Sequence, residues 1–420
     1  MSPEWDTLPL LPLRCILEHL SLEDAMAAMS TCRQWRSAIL LYEGRKEKLV
    51  LRAKQLEKSM HLARVFRKHT RILHMYLDCS AEDTDEFMSY VLPQFFDSAK
   101  LREIIFIGPS YIQQTHLMPV IKIKRIMTES LIYKHLHCLE RFGMLGCEMG
   151  IAKVDSEKIT SVIVDYEHIN TEALETLCAL STFSSLTLNV GYRRQLPYGR
   201  LDWPRVHEAR RARLRVHVNI VSLPHTKFDE VIENVLVEGM TLVSLKVLFC
   251  KAMYPALLDH LVAVHKDTLE ELVWADCPYN SSDVYHRYQR SLGPVQFPVA
   301  NVNPFIILTW QCTNIRRLVI HGYWMWQYDL LGFVRLRSTL TSIEVSAIYE
   351  NQETYGDTIP RVLISDEPLP LHPTFVREMN EEGKYTFVPK TWHQLHPGLR
   401  ARSTPQDRAA YTVCETLGVT

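Results

Sequence analysis

Ile315-Arg316-Arg317-Leu318-Val319-Ile320 is the stretch that decides how this chain folds. Apolar residues stand at its first, fourth and sixth places. The last two lie two apart, as on one face of a strand, while the first packs just ahead of that strand. The same pattern returns about nine times, at residues 72–77, 101–106, 139–144, 159–164, 183–188, 242–247, 269–274, 315–320 and 340–345. A further segment, 213–220, carries Leu214, Val216 and Val218 without the leading leucine and reads as an additional strand.

Working outward, helical patterns fill the gaps at residues 84–96, 171–180, 228–239, 255–264, 304–312 and 328–336. Some carry start signals: Asn303 before Pro304 is an N-cap followed by a first-turn proline, and Asn170 precedes Thr171. Strand and helix alternating in this way predict an α/β class fold, an irregular leucine-rich-repeat solenoid with one strand and one helix per repeat. An ordinary parallel-sheet domain also alternates strand and helix, but it does not require the leading leucine.

The chain has 420 residues, more than one compact core usually serves, with 47% hydrophobic, 10% aromatic and 23% charged residues. That composition is globular and far from disorder. The net charge of -1 provides no global attraction to nucleic acid or an anionic membrane. The 10 cysteines include no C-x-x-C pair, which fits free thiols in a reducing compartment. The start, Met-Ser-Pro-Glu-Trp-Asp, is acidic where a signal peptide is basic, and residues 291–315 are too polar for a membrane helix. The expected localisation is cytoplasmic, nuclear or both. No phosphate-cradling glycine loop, H-E-x-x-H or G-x-S-x-G occurs, which removes common nucleotide-binding, zinc-protease and hydrolase readings.

The first forty residues differ from the rest. Leu13, Ile16, Leu17 and Leu20, then Leu22, Ala25, Met26 and Met29, then Trp35, Ile39 and Leu40 recur at helical spacing and predict three short helices. Pro9 and Pro12 place the first helix start near Pro12, and Ser21 is the expected N-cap of the second, with Asp24 three residues on. So few residues cannot bury all of Leu8, Leu13, Ile16, Leu17, Leu20 and Trp35 among themselves, and leftover apolar surface is a docking face.

Leu8-Pro9, Leu13, Ile16-Leu17, Leu20 and then Cys32-Arg33-Gln34-Trp35-Arg36 resemble the F-box, whose pattern runs L-P, L, I-F, L and C-R-x-W-R. The match departs where that family has an acidic residue and this chain has Leu11, where Leu17 replaces phenylalanine, and near residues 40–42. The resemblance implies a three-helix F-box over residues 1–45 that binds the adaptor Skp1 through Leu8, Pro9, Leu13, Ile16, Leu17, Leu20, Cys32 and Trp35. Through Skp1 it implies a cullin-RING ligase. The array of residues 46–365 would present a protein substrate, and residues 366–420 would form a tail partly packed on it. The expected role is the non-catalytic substrate receptor of a ubiquitin ligase, with no catalytic residue, cofactor or metal. The rival reading is a leucine-rich interaction scaffold unrelated to ubiquitin. A second stretch, Pro304 through Thr313, Leu318 through Tyr323, Val334-Arg335-Leu336-Arg337 and Ile343-Glu344-Val345, looks like the corresponding stretch of one particular F-box protein, as does Val376-Arg377-Glu378-Met379.

Three further features carry expectations. Tyr323, Trp324, Trp326 and Tyr328 follow a strand directly and cluster within six positions, so they are expected to contact substrate, aromatic side chains being the commonest interface anchors. Residues 193–215 hold Arg193, Arg194, Arg200, Arg205, Arg210, Arg211, Arg213 and Arg215 with Tyr192, Tyr198 and Trp203 between them. That composition can grip phosphates and stack bases, yet a solvated helix at 204–212 explains it more simply, and nucleic acid is disfavoured as a partner. His135, His137 and Cys138, with Cys147 beyond, lack the convergent four-ligand geometry of a zinc site and read as ordinary packing.

Overall fold

The computed structural model describes residues 8–20, 22–41, 48–77, 81–97, 100–108, 125–146, 158–191, 199–208, 214–250, 253–276, 303–323, 325–346, 348–354, 357–362, 373–381, 386–390, 394, 395 and 399. The chain divides into two compact units, one of residues 1–105 with 123–140, the other of 106–122 with 141–420.

The first unit opens with helices α1 (Leu10–His19), α2 (Leu22–Met29) and α3 (Arg33–Leu41). α1 begins two residues earlier than expected. Pro12 is still within the first turn, where backbone N–H groups have no helical partner to lose, and the first helical bond runs from Leu13 N to Pro9 O. Ser21 lies outside the described residues. Strands β1 (Lys48–Arg52) and β2 (Ile72–Tyr76) then pair in parallel, Leu49 against Leu73 and Leu51 against Met75, with β3 (Glu103–Ile107) next to β2. The expected helix at 84–96 is in fact two pieces. An α-helix over Ala81–Tyr90 gives way to a 3-10 turn over Leu92–Phe95, because Pro93 cannot donate to a continuing helix.

In the second unit, β4 (Arg141–Leu145), β5 (Ser161–Asp165), β6 (Ser185–Gly191), β7 (Arg215–Val221), β8 (Leu242–Leu248), β9 (Glu271–Ala275) and β10 (Arg317–His321) are hydrogen-bonded in chain order, all parallel. β12 (Ser342–Val345) follows β10, and β15 (Thr386–Pro389) closes that edge. A smaller sheet joins β11 (Met325–Trp326), β13 (Ile348–Thr354) and β14 (Asp357–Val362). The repeated apolar places fall into register: Leu245, Leu272, Leu318 and Ile343 form one row, and Val247, Trp274, Ile320 and Val345 the next. Each of these side chains is buried, as are the leading residues Leu269, Ile315 and Leu340. Helices such as Pro255–Val264, Pro304–Gln311 and Gln327–Leu336 run between the strands, and each packs against the next. The six-residue pattern is therefore a parallel-strand pattern wherever it occurs.

Just past several strands the backbone turns left-handed, at Gly146, Ser222, Phe249 and Gly322. At Gly322 glycine is required, since a Cβ there would stand 2.5 Å from the carbonyl oxygen of Asp276. Among the described residues no helix is long and apolar enough to cross a membrane.

Candidate docking site on the N-terminal helices

α1 and α2 each pack on α3, and the apolar residues of the three helices sort into two sets. Leu13 and Leu17 of α1, Ala25 and Met29 of α2, and Ala38 and Ile39 of α3 are buried and hold the head together. Leu13 and Leu17, both in the expected Skp1-contact set, are thus part of the head's own core: their four-residue spacing puts both on the inward face of α1. The other stripe of α1 faces outward. Pro9, Pro12 and Cys15 are exposed, Leu8, Ile16 and Leu20 are half-buried, and Leu11 is 74% exposed.

The C-R-x-W-R segment has local work of its own. Cys32 Sγ accepts from the backbone N–H of Trp35 at 3.5 Å, so the cysteine caps the start of α3, where Ser or Asp more often stands. Gln34 Nε2 donates to the carbonyl of Leu8 at 2.6 Å, tying the segment ahead of α1 onto α3. Arg36 Nε donates to the carbonyl of Met29 at 3.1 Å, closing the end of α2. Gln34 and Arg36 escaped the sequence reading as site residues because neither is apolar; their signal was membership of the motif. Cys32 and Trp35 are both half-buried, so each supports the head and borders its surface.

The aromatic segment after β10 divides differently. Tyr323 is not a surface residue. It is wholly buried, its hydroxyl donating to Asp276 Oδ2 and accepting from Trp274 Nε1 at 3.2 Å, and burial beside that carboxylate pushes its pKa well above the ordinary value. The turn at Gly322 sends Tyr323 back into the core rather than onto the rim. Trp324 lies outside the described residues. Trp326 is half-buried and Tyr328 is 57% exposed, and their rings meet edge to face with centroids 5.1 Å apart. Among the described residues of the expected set, these two remain available to a partner.

Two arginines of the arginine-rich segment are paired. Arg205 pairs with Glu175, and Arg215 grips Glu270 with both terminal nitrogens, at 3.0 and 3.2 Å. Trp203 of the same arginine-rich segment is fully buried, and the helix there is Trp203–Glu208. Arg193, Arg194, Arg210, Arg211 and Arg213, with Tyr192 and Tyr198, lie outside the described residues. His135 is buried with Nε2 2.8 Å from the carbonyl of Phe95 and Nδ1 accepting from Leu101 N at 3.3 Å. Both ring nitrogens are thus engaged by backbone, burial lowers its pKa, and His137 is exposed. Cys147 lies outside the described residues.

The sheet face opposite the core carries a polar row in register, His217, Ser244, Glu271 and Arg317. Burial works to raise the Glu271 carboxyl, but Lys246 Nζ at 3.2 Å, Ser244 Oγ at 2.6 Å and Arg317 outweigh it and hold it low. His217, desolvated and beside Lys246 and Arg215, is pushed down to about 4.

Comparison with known proteins places the head in a class. Residues 5–43 match the F-box domain, so the chain carries an F-box over the three helices just described. The chain is also similar to F-box only protein 33 of Homo sapiens, 43% identical over 47 residues, which is 11% of this chain and 8% of the human protein. The mouse protein of the same name is 41% identical over 39 residues, 9% of this chain and 7% of that protein. The matches thus span less than a tenth of these relatives' length.

Proposed function

We propose that this protein is the substrate-recognition subunit of a Skp1–cullin–F-box ubiquitin ligase, acting in the cytoplasm, the nucleus or both. Residues 1–45 bind Skp1. Residues 46–365 form the leucine-rich-repeat solenoid that holds a protein substrate, with 366–420 as a tail partly packed against it. Ubiquitin transfer to a substrate lysine is carried out by partner subunits, and this chain contributes position only.

The observation that carries the reading is the F-box match combined with the outward stripe of α1. F-box domains bind Skp1 in cullin-RING ligases. Here Pro9, Pro12, Ile16 and Leu20, with Leu11 beside them, leave an apolar surface that the head does not consume in its own core. On the substrate side, Trp326 and Tyr328 are the aromatic pair from the expected contact set that a partner can reach. The test is calorimetric titration of the purified full chain with purified Skp1. Binding at about micromolar Kd or tighter is expected. Failure to bind, with the chain folded, overturns the assignment and leaves the scaffold reading.

A further inference from the structure

We propose that the outer face of helices Pro304–Gln311 and Gln327–Leu336, centred on Trp310 and Leu336, docks an acidic segment of a partner protein that carries an apolar anchor. The inference rests on the substrate-receptor reading and names the class of segment that the receptor takes.

The first helix, Pro-Phe-Ile-Ile-Leu-Thr-Trp-Gln, contains no charged residue. Its inward face is accounted for by Phe305, Leu308 and Thr309, all buried. A helix on a water-facing layer ordinarily carries charge on its outer side, and one apolar all round is either enclosed or an interface. This one is not enclosed, since Trp310 is 58% exposed. Trp310, Tyr328, Leu336 and Val376 are the exposed large apolar side chains of three successive helices. Elsewhere among the described residues only Leu11, Tyr90 and Tyr133 compare with them. The outer apolar surface is therefore concentrated here rather than scattered.

The helices that carry Trp310 and Leu336 are held closely together. A Cβ on Gly332 would come within 3.2 Å of Ile306 Cδ1, so the two helices are seated closely where Gly332 sits one turn before Leu336. Arg337 then reaches across, its Nε donating to the carbonyl of Thr309 at 2.8 Å and its Nη2 to that of Trp310. The guanidinium ties down the last turn of the first helix and fixes the backbone that carries Trp310.

The surrounding charge selects the partner. Arg316 and Arg335 are exposed and Arg337 is half-buried at this end of the helices. Asn314 Nδ2 bonds the carbonyl of Asp267 at 2.7 Å, which brings the turn with exposed Lys266 and Asp267 alongside. Glu378, half-buried, lies 3.7 Å from Arg335 and is the acidic side chain paired with this rim. Tryptophan and arginine together are the commonest anchors of protein interfaces, and a basic rim favours an acidic partner.

The test uses three fluorescein-labelled helical peptides: one of glutamate and leucine with leucine at every third or fourth place, a copy with lysine for glutamate, and a copy with serine for leucine. Their anisotropy is followed on titration with the full chain. The acidic peptide should bind about tenfold or more tightly than either copy. Trp310→Ala should weaken it by about 30-fold, and Leu336→Ser in the same direction. Arg316→Glu with Arg335→Glu should reverse the preference toward the lysine copy. Melting curves and Skp1 affinity should stay as in the unaltered chain. Equal binding of the acidic and lysine peptides, or full affinity in Trp310→Ala, overturns the proposal. So does sedimentation showing that Trp310 mediates self-association, which would make a second copy the occupant. Should Skp1 fail to bind while the acidic peptide binds as expected, the receptor reading falls and the docking surface stands.

Discussion

The head and the strand array spend their apolar residues in opposite ways. Along β8, β9 and β10 every second side chain is sealed: Leu245, Val247, Leu272, Trp274, Leu318 and Ile320 are each wholly buried. Along α1, Leu13 and Leu17 are sealed while Leu8, Ile16 and Leu20 stay half-open and Leu11 stands in water. The array completes its own core because each strand finds another on at least one side. Three helices in about 35 residues cannot do so. Such a head keeps apolar surface in water, and under the proposed function the difference separates residues that fold this protein from residues that connect it.

The sharpest way to break that contrast is to replace Leu8, Pro9, Ile16 and Leu20 together by polar residues. If they connect rather than fold, Skp1 binding disappears, since aliphatic groups worth up to about 1.5–3 kcal/mol each when fully buried together approach the roughly 8 kcal/mol of a micromolar complex. Thermal unfolding of the rest should remain as it was. Skp1 titration beside a melting curve decides, and undiminished binding would remove the F-box stripe from the interface. The converse variant lies in the array. Trp274→Ala removes a fully buried indole and the donor to Tyr323, and should cost about 3–5 kcal/mol by chemical denaturation. A loss under about 1 kcal/mol would mean that the rows in register do not form a packed core.

These two outcomes bear on how much of the molecule could be read from its residues. Every instance of the six-residue pattern is a strand, because a strand that turns one face to the core needs an apolar residue at every second place and the repeat supplies them. β1 and β15 were missed: Lys-Leu-Val-Leu-Arg and Thr-Phe-Val-Pro lack the leading apolar residue and read as ordinary loop margins. The helices Leu56–Phe66, Arg125–His135 and Pro373–Glu381 were missed as well. Tyr323 misled for another reason. Its position just after a strand argued for the rim, but the left-handed turn at Gly322 and the carboxylate of Asp276 draw it inward, and neither acts within the local sequence. In the head, the apolar spacing identified the stripe but could not say which half faces α3.

A milder probe is pH. His265 is buried, its Nε2 3.2 Å from the carbonyl of Leu236, and desolvation holds its pKa down at about 4 against 6.5 for an exposed histidine. Because the folded value lies below the unfolded one, this histidine costs the native array nothing above pH 6.5. The array loses stability progressively as pH falls from about 6.5 toward 4, where the unfolded chain takes up the proton first. The loss should be on the order of 3 kcal/mol. His265→Gln keeps a donor for Leu236 and does not titrate, so its stability should fall less over that interval. Parallel denaturation curves for the two chains, coinciding in shape, would show that this histidine contributes nothing to the acid response.

The smallest expected effect on stability belongs to an aromatic pair of the array that, like the outer stripe of α1, stays partly outside the core. Trp326 and Tyr328 meet edge to face, the indole half-buried and the phenol mostly in water, on the way from β11 into the helix Gln327–Leu336. The helix is anchored without them by Leu330, Leu331, Phe333 and Val334 on its buried side. An edge-to-face pair contributes about 0.5–1.5 kcal/mol beyond area burial, and less where one ring is solvated. Tyr328→Ala should therefore change unfolding free energy by about 0.5 kcal/mol or less, with Trp326→Ala costing somewhat more because its ring is better covered. If the pair connects rather than folds, the double variant keeps its melting curve and its Skp1 affinity yet loses ubiquitination of substrate in a reconstituted ligase. A double variant that melts early places the pair with Tyr323 in the core, and one that ubiquitinates normally makes it a bystander. Either result would confine the connecting surface of the array to other side chains.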